Sequence, residues 1–316
     1  GTLWRFEGVN IPNPNHFGVS GTTGGPVTIL NNKFLSNSDF MTGAFPAEYG
    51  NTIAGVFDLK MKNGNNENHE FSGQWGFLGT EIFAEGPISL PAEASAQAGK
   101  KNRSSYLFTY RYSTLQIFHL LGINIGTEAV PKYQDMSFKL NFPTKKAGNI
   151  SLFGIGGISQ IDIMKRDQLD AGKDRELFGD ADLDEQFKTG MGVIGLNYFK
   201  SINPKTWLQL TLSSSLEHQE NIQDKFRLEM DSNNQPTVVD NKFRIDTIFQ
   251  KLGYNFNQAK YSASFLINKK VSNRHTIKTG IISDLYQQLN LVDSIYKEYD
   301  STWAVRLNHK GNMTLL

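Results

Sequence analysis

The chain has 316 residues and a net charge of +1; 39% of its residues are hydrophobic, 12% are aromatic, and none is cysteine. The balanced charge gives no electrostatic case for a nucleic-acid partner, and the lack of cysteine excludes disulfides and thiolate metal sites. No run of about 18 apolar residues occurs, so the sequence predicts no membrane-spanning helix, although alternating membrane strands escape that test.

The first 68 residues predict a small, compact portion of the chain. Residues 6–9 and 55–62 predict short strands, because their Val, Phe and Leu side chains favour a pleated backbone. Residues 10–26 predict a loop, since prolines and glycines interrupt both helices and strand ladders. Residues 36–39 fit a helix cap or a strand equally well, and Pro46 with Gly50 predicts a tight turn.

From about residue 71 onward the sequence predicts long strands with two unlike faces. In 208–217, leucines alternate with Gln, Thr, Ser and Glu. A period of two with one apolar face indicates a strand between a nonpolar phase and a polar one. The pattern predicts nine or ten strands of about ten residues each, and it is clearest in 71–77, 105–112, 136–142, 208–217 and 261–268.

The predicted connections between these strands alternate in length. Short turns are predicted at 143–149, 203–205 and 272–275, and long connections at 113–132, 160–186 and 229–257. A transmembrane β-barrel has short turns on one side of the membrane and long loops on the other. The connection at 90–102 departs from this scheme, because it is long but falls on the short-turn side.

Three sequence blocks carry a resemblance to a known family. They are 3–12 (LWRFEGVNIP), the turn and strand at 46–62 that open with PAEYGN, and 79–87 (GTEIFAEGP). In this order they resemble TonB-dependent outer-membrane receptors, most closely those of the Bacteroidetes type. The resemblance implies that 1–68 are the C-terminal part of an α+β plug domain. It implies that 69–316 are the first nine or ten of about 22 strands of an all-β, antiparallel transmembrane barrel.

The resemblance also implies a function. It predicts a receptor without enzymatic activity in the bacterial outer membrane, which takes up a siderophore, vitamin, glycan or peptide. Its partners would be outer-membrane lipid, the ligand, a surface lipoprotein, and TonB, which acts through a segment outside this chain; no cofactor is implied. Two alternatives remain: a complete barrel of about ten strands acting as a porin or hydrolase, and a barrel subunit of a secretion or adhesion assembly.

Half a barrel would not be stable alone in a bilayer. An unpaired backbone group in hydrocarbon costs several kcal/mol, and a strand edge exposes a row of them. We therefore expect the chain to be a fragment of a larger barrel, unless it forms a smaller barrel of another kind.

By the resemblance, one set of residues on the Gly/Pro-rich loop would face the ligand. The candidate ligand contacts are Asn10, Asn13, Asn15, His16 and Phe17. The alternative is that these side chains only stabilise their own loop, because Asn readily bonds to nearby backbone.

By the same resemblance, a second set would hold the plug against the barrel. These candidates are Arg5, Glu7, Glu48, Tyr49 and Lys60. Buried ion pairs add little net stability but are costly to break singly, which suits a latch. The alternative is ordinary solvation of the charged groups.

The sequence predicts no metal site, cofactor site or catalytic group. Residues 180–185 (DADLDE) begin like a calcium loop, but they lack its glycine and its bidentate Glu. Residues 190–195 (GMGVIG) match a dinucleotide fingerprint in letters only, because they lie in an alternating strand with no helix after them. The six histidines are dispersed along the chain.

Overall fold

The computed structural model describes the chain except for residues 20–21, 51, 77–78, 89–102, 115–116, 118–120, 122–130, 145, 171–181, 298–301 and 316. The described residues are almost entirely β-structure, with one short 3-10 helix at Lys165–Gln168. No helix among them is both long and apolar enough to cross a membrane. The predicted all-β class is confirmed.

The described residues of the N-terminal region, residues 1–68, form six short strands. Four of them form a sheet in the order β2-β1-β6-β5, in which β1 and β6 run parallel, and β3 pairs with β4. They are β1 (Thr2–Phe6), β2 (Val9–Asn10), β3 (Asn15–His16), β4 (Val27–Thr28), β5 (Asp39–Met41) and β6 (Gly55–Leu59). The predicted α+β character is therefore wrong for the described residues of this region, and Asp39 begins a strand rather than a helix.

The predicted strand at 6–9 is also wrong. Glu7 and Gly8 have φ angles of 51° and 93°, and they form a two-residue turn between β1 and β2. Positive φ at both central positions is the geometry that suits a tight hairpin with twisted strands. The turn places both the Glu7 carboxylate and the Glu7 carbonyl at the tip of the hairpin.

Most of the described residues from Glu70 onward form one ten-stranded antiparallel sheet, in which neighbouring strands follow each other in sequence except where a small hairpin intervenes. The count matches the prediction of nine or ten. Its strands are β7 (Glu70–Trp75), β8 (Thr80–Pro87), β9 (Ser105–Tyr112), β10 (Lys132–Thr144), β11 (Gly148–Ile163), β12 (Leu183–Asn203), β13 (Thr206–Leu228), β16 (Ile245–Lys270), β17 (Thr276–Lys297) and β18 (Thr302–Leu315). Between β13 and β16 lies a small hairpin of β14 (Val238–Val239) and β15 (Lys242–Phe243).

Several strands are longer than predicted. Strand β16 has 26 residues and β13 has 23, so the predicted connection at 229–257 is wrong from Ile245 onward. Polar cross-strand pairs such as His218 with Asn257, 2.7 Å apart, sustain the ladder where the apolar pattern has ended. The predicted short connections between β10 and β11, β12 and β13, and β16 and β17 are confirmed, whereas 90–102 and most of 113–132 lie outside the described residues.

The ten-stranded sheet has two faces of opposite polarity. The face against the N-terminal region, the polar face, buries Ser105, Thr109, Asp135, Ser137, Lys139, Ser159, Asn197, Thr211, Ser264 and Asp284. The opposite face, the apolar face, exposes Phe71, Ile82, Met136, Ile158, Ile194, Leu216, Tyr261, Phe265 and Ile281. Adjacent residues of β13 illustrate the contrast: Thr211 is 1% exposed and Leu212 is 46% exposed. The predicted alternation is confirmed.

The apolar face is limited to a band along the strands. Apolar side chains and glycines dominate it in the nine-residue segments 150–158, 208–216 and 259–267. Beyond Leu216 the same face of β13 becomes polar, because His218 bonds to Asn257 and Glu220 pairs with Lys188 at 3.0 Å. The strands therefore continue well past the apolar band into a polar extension.

A hydrophobic core joins the N-terminal region to the polar face. Phe6 contacts Phe34 and Phe153 edge to face, with ring centroids 6.3 and 5.7 Å apart, and all three are fully buried. Burying each such ring stabilises the fold by about 1.5–3 kcal/mol. The Phe153 ring lies over Gly195, where a Cβ would approach it to 2.4 Å, so this glycine is required for the packing.

Candidate functional site

The candidate functional site is the interface between the N-terminal region and the polar face of the large sheet. Hydrogen bonds and ion pairs cross it to side chains of eight strands, from β8 to β17. The sheet residues that make them are Glu81, Glu85, Arg111, Asp135, Lys139, Ser159, Asn197, Thr211, Lys260 and Lys278. The interface is polar around a small apolar core, which is the composition of a contact that can be broken and remade.

Glu7 is at the centre of this interface. Its Oε1 accepts hydrogen bonds from Lys139 Nζ at 3.2 Å and from the Met61 amide at 2.6 Å. Lys139 Nζ also donates to the Met61 carbonyl at 3.0 Å. The Glu7 carbonyl accepts from Asn197 Nδ2 at 3.2 Å and Thr211 Oγ1 at 3.1 Å. One hairpin turn is thus bound to strands β10, β12 and β13.

Arg5 and Glu48 form a second group of charges on the other side of the N-terminal region. Arg5 donates to Glu48 Oε2 at 3.2 Å, and Glu48 Oε1 pairs with Lys278 on β17. Arg5 is 2% exposed and lies 5.0 Å from the centre of the Tyr49 ring. The predicted contact with the sheet is made by Glu48, and Arg5 acts through it.

Tyr49 contacts the N-terminal region rather than the sheet. Its hydroxyl donates to Asp58 Oδ2 at 2.7 Å, and Asp58 lies in β6 of the same region. Burial, and then the hydrogen bond to Asp58, raise the pKa of the Tyr49 phenol far above its usual range. Lys60 is exposed, and its backbone bonds to Ser36 and Ser38. We predicted that Tyr49 and Lys60 would contact the large sheet, but the structure places neither of them against it.

His16 belongs to the interface and not to an open ligand surface. Its Nε2 lies 2.9 Å from Asp135 Oδ2, and its ring is 4.8 Å from the Tyr133 ring. Asp135 also accepts from Arg111 at 2.6 Å, and Arg111 donates to the Thr28 carbonyl. His16 is 1% exposed, and its bond to Asp135 holds β3 to β10.

The other predicted ligand contacts are divided between two places. Asn13 donates to the carbonyls of Thr22 and Gly24, at 3.2 and 2.9 Å, and Asn15 donates to Asn13. These amides stabilise their own loop, which was the alternative interpretation. The Phe17 amide donates to Ser159 Oγ of β11 at 3.0 Å. Only Asn10 borders a large cavity, and its carbonyl accepts from Lys260.

This cavity has a volume of about 850 Å³ and lies between the 46–50 turn and strands β16 and β17. Its polar lining includes Lys260, Lys278, Asp284 and Tyr286, and its apolar lining includes Leu3, Ile11, Leu266 and Ile282. The volume is within the range of small-molecule sites in proteins. Among the described residues no cluster of three or more His, Asp or Glu could hold a metal ion.

Sequence reasoning missed the partners on the sheet. Lys139, Asp135, Arg111 and Glu81 are charged residues on the polar side of otherwise regular strands. The signal that could have identified them is a charged residue on the polar side of an alternating strand. Such a charge indicates an oppositely charged partner on a surface that packs against that side. No protein-family model matches the sequence, and no curated protein matches it.

Proposed function

We propose that this chain is part of a TonB-dependent receptor of the bacterial outer membrane. In this proposal the ten-stranded sheet is part of a transmembrane barrel wall, and the N-terminal region is the C-terminal part of the plug. The function is uptake of a bound ligand past the plug, energised by TonB through a segment outside this chain. Specificity for a siderophore, vitamin, glycan or peptide would then depend on the cavity and the long connections.

The observation that carries the proposal is the reversed polarity of the large sheet. A water-soluble sheet buries its apolar face and exposes its polar one. Here Ser215 is 3% exposed and its neighbour Leu216 is 58% exposed. This arrangement is expected where the outer face meets hydrocarbon and the inner face lines a polar lumen.

The extent of the apolar face supports a bilayer. The segments 150–158, 208–216 and 259–267 each have nine residues. A strand that crosses the hydrocarbon at about 45° needs roughly 9–11 residues. Nine residues at about 3.3 Å each and that tilt give a height of roughly 21 Å, close to the band of about 25 Å found on outer-membrane barrels.

The position of the N-terminal region supports a plug rather than an open porin. It covers the polar face from β8 to β17 and buries side chains that would line the channel of a porin, such as Lys139 and Asp135. The proposal also requires further strands. Strands β7 and β18 are the edges of the sheet, and in hydrocarbon both edges must be paired.

Spin labels test the membrane assignment on adjacent residues. The chain has no cysteine, so a Leu212→Cys variant can be labelled at one position within it. In phospholipid vesicles the Leu212 label should collide freely with oxygen and be shielded from a charged nickel chelate. A Thr211→Cys label is the matched control and should be immobilised against the N-terminal region. A Leu212 label that is open to the chelate would refute the proposal.

Transport is tested in cells that express the full-length receptor. Ferric siderophore, cobalamin, an oligosaccharide and an oligopeptide serve as labelled probes, each in strains with and without TonB. We expect uptake of one probe class that is lost without TonB. Uptake of none of them, or uptake that persists without TonB, would contradict the proposed function.

A further inference from the structure

The contacts of the N-terminal region with the sheet are unevenly distributed. Toward β8, β10, β12 and β13 they are dense: Lys33 pairs with Glu81 at 2.7 Å, Lys62 with Glu85 at 3.1 Å, and Glu7 binds three strands. Toward β16 and β17 the 850 Å³ cavity separates the two surfaces. Among the described residues, the Glu48–Lys278 ion pair and the bond from Lys260 to the Asn10 carbonyl bridge this side.

We infer that the cavity is part of the route by which a ligand passes the N-terminal region, and that the Glu48–Lys278 ion pair closes it. This inference rests on the proposed function and deepens it. The 46–50 turn moves away from β17, while the half of the N-terminal region bound to β8–β13 stays in place. Across the interface with the sheet, this motion breaks one ion pair, at a partly exposed lysine, whereas release of the entire region would break all the buried contacts.

The chemistry of the cavity favours an uncharged, hydrogen-bonding ligand. Lys278 is paired with Glu48, Lys260 donates to the Asn10 carbonyl, and Asp284 accepts from Ser262 Oγ at 2.5 Å. Each charged group thus already has a protein partner, so a charged ligand would have to displace one. A glycan or a short neutral peptide could use the hydroxyl of Tyr286 and the apolar surface of Leu266 and Ile282.

The test measures ion conductance of the full-length receptor in planar phosphatidylcholine bilayers at 0.15 M KCl, with K⁺ and Cl⁻ as the probes. A Glu48→Cys/Lys278→Cys variant removes the ion pair and supplies a site for a short, reducible bis-methanethiosulfonate crosslinker. We expect its conductance to exceed that of the wild type at least tenfold, to return to the wild-type level on crosslinking, and to rise again on reduction. Closure by the crosslinker also verifies that the variant is folded.

The matched control removes another Lys–Glu pair on the opposite side of the N-terminal region. A Lys33→Cys/Glu81→Cys variant should conduct as the wild type does, with or without the crosslinker. A Lys278→Ala variant keeps Glu48 paired with Arg5 and should show the same increase as the first variant.

Other outcomes overturn the inference. Equal opening of both double variants would mean that the region loosens as a unit, and opening of neither would place the route elsewhere. A wild-type protein that does not insert, or that conducts freely, would instead contradict the proposed function.

Discussion

Replacing Lys139 with methionine tests whether charge holds the hairpin turn of Glu7 to the sheet. The Lys139 and Glu7 side chains are 7% and 8% exposed and their charged atoms are 3.2 Å apart. At an effective dielectric constant of about 20, this separation corresponds to an attraction of about 5 kcal/mol. Removing one partner of a buried pair costs about 3–5 kcal/mol, because the other charge stays buried. Glu7 keeps the Met61 amide as a donor, so we expect a value near the lower limit.

The assay is hydrogen exchange of the Met61 amide, which donates to Glu7, in the detergent-solubilised protein. A loss of about 3–5 kcal/mol accelerates its exchange by roughly two to three and a half orders of magnitude if opening is local. A Glu7→Gln/Lys139→Met double variant should recover most of the protection, since neither charge remains. Thr211→Val removes one of the neutral donors to the Glu7 carbonyl and should cost only about 1 kcal/mol.

Two results would refute this reasoning. Exchange of the Met61 amide in Lys139→Met within threefold of the wild type would mean that the ion pair does not hold the turn. A double variant as unprotected as Lys139→Met would assign the loss to packing of the Lys139 chain rather than to its charge.

Two further predictions concern the same region. Gly157→Ala should weaken docking of the N-terminal region by more than 1 kcal/mol, because the added Cβ would lie 2.7 Å from the His16 ring. The control Gly192→Ala places its Cβ in open space and should leave docking unchanged. Limited proteolysis of the two variants measures the difference. The raised pKa of the Tyr49 phenol means that the folded protein keeps this proton when the unfolded chain has lost it, so its stability should fall as the pH rises above about 10. A Tyr49→Phe variant should not show this loss of stability at alkaline pH. At neutral pH it should be less stable than the wild type by about 1 kcal/mol, because its bond to Asp58 is lost. Chemical denaturation at pH 7 and pH 11 measures both effects.

The strand content could be predicted from the sequence because it depends on local alternation. From Leu208 to Leu216 leucines alternate with polar residues, and this period of two can be read from the local sequence alone. Strand ends could not be predicted in the same way. The polar extension of β13 and β16 is held by cross-strand pairs such as His218 with Asn257, which are distant in sequence.

The candidate site was predictable only in part. Glu7 and Glu48 could be identified because they are charges among apolar neighbours, but their partners Lys139 and Lys278 depend on sheet register. Lys60 has the same local signal and is nevertheless exposed, since the strand β6 ends before it. Whether a single charged side chain is buried depends on the surface that packs against it, and local sequence does not indicate which surface that is.

Under the proposed function, the length of the strands determines what the protein presents outside the membrane. If Leu216 marks the outer limit of the hydrocarbon, the 217–228 part of β13 continues for roughly 40 Å along the strand and about 28 Å in height at a tilt of 45°. A phage or an antibody approaching from outside would then meet paired strands over much of this height. Antibodies raised against linear loop peptides would therefore recognise little of this part of the protein, and those raised against the folded protein would recognise much more.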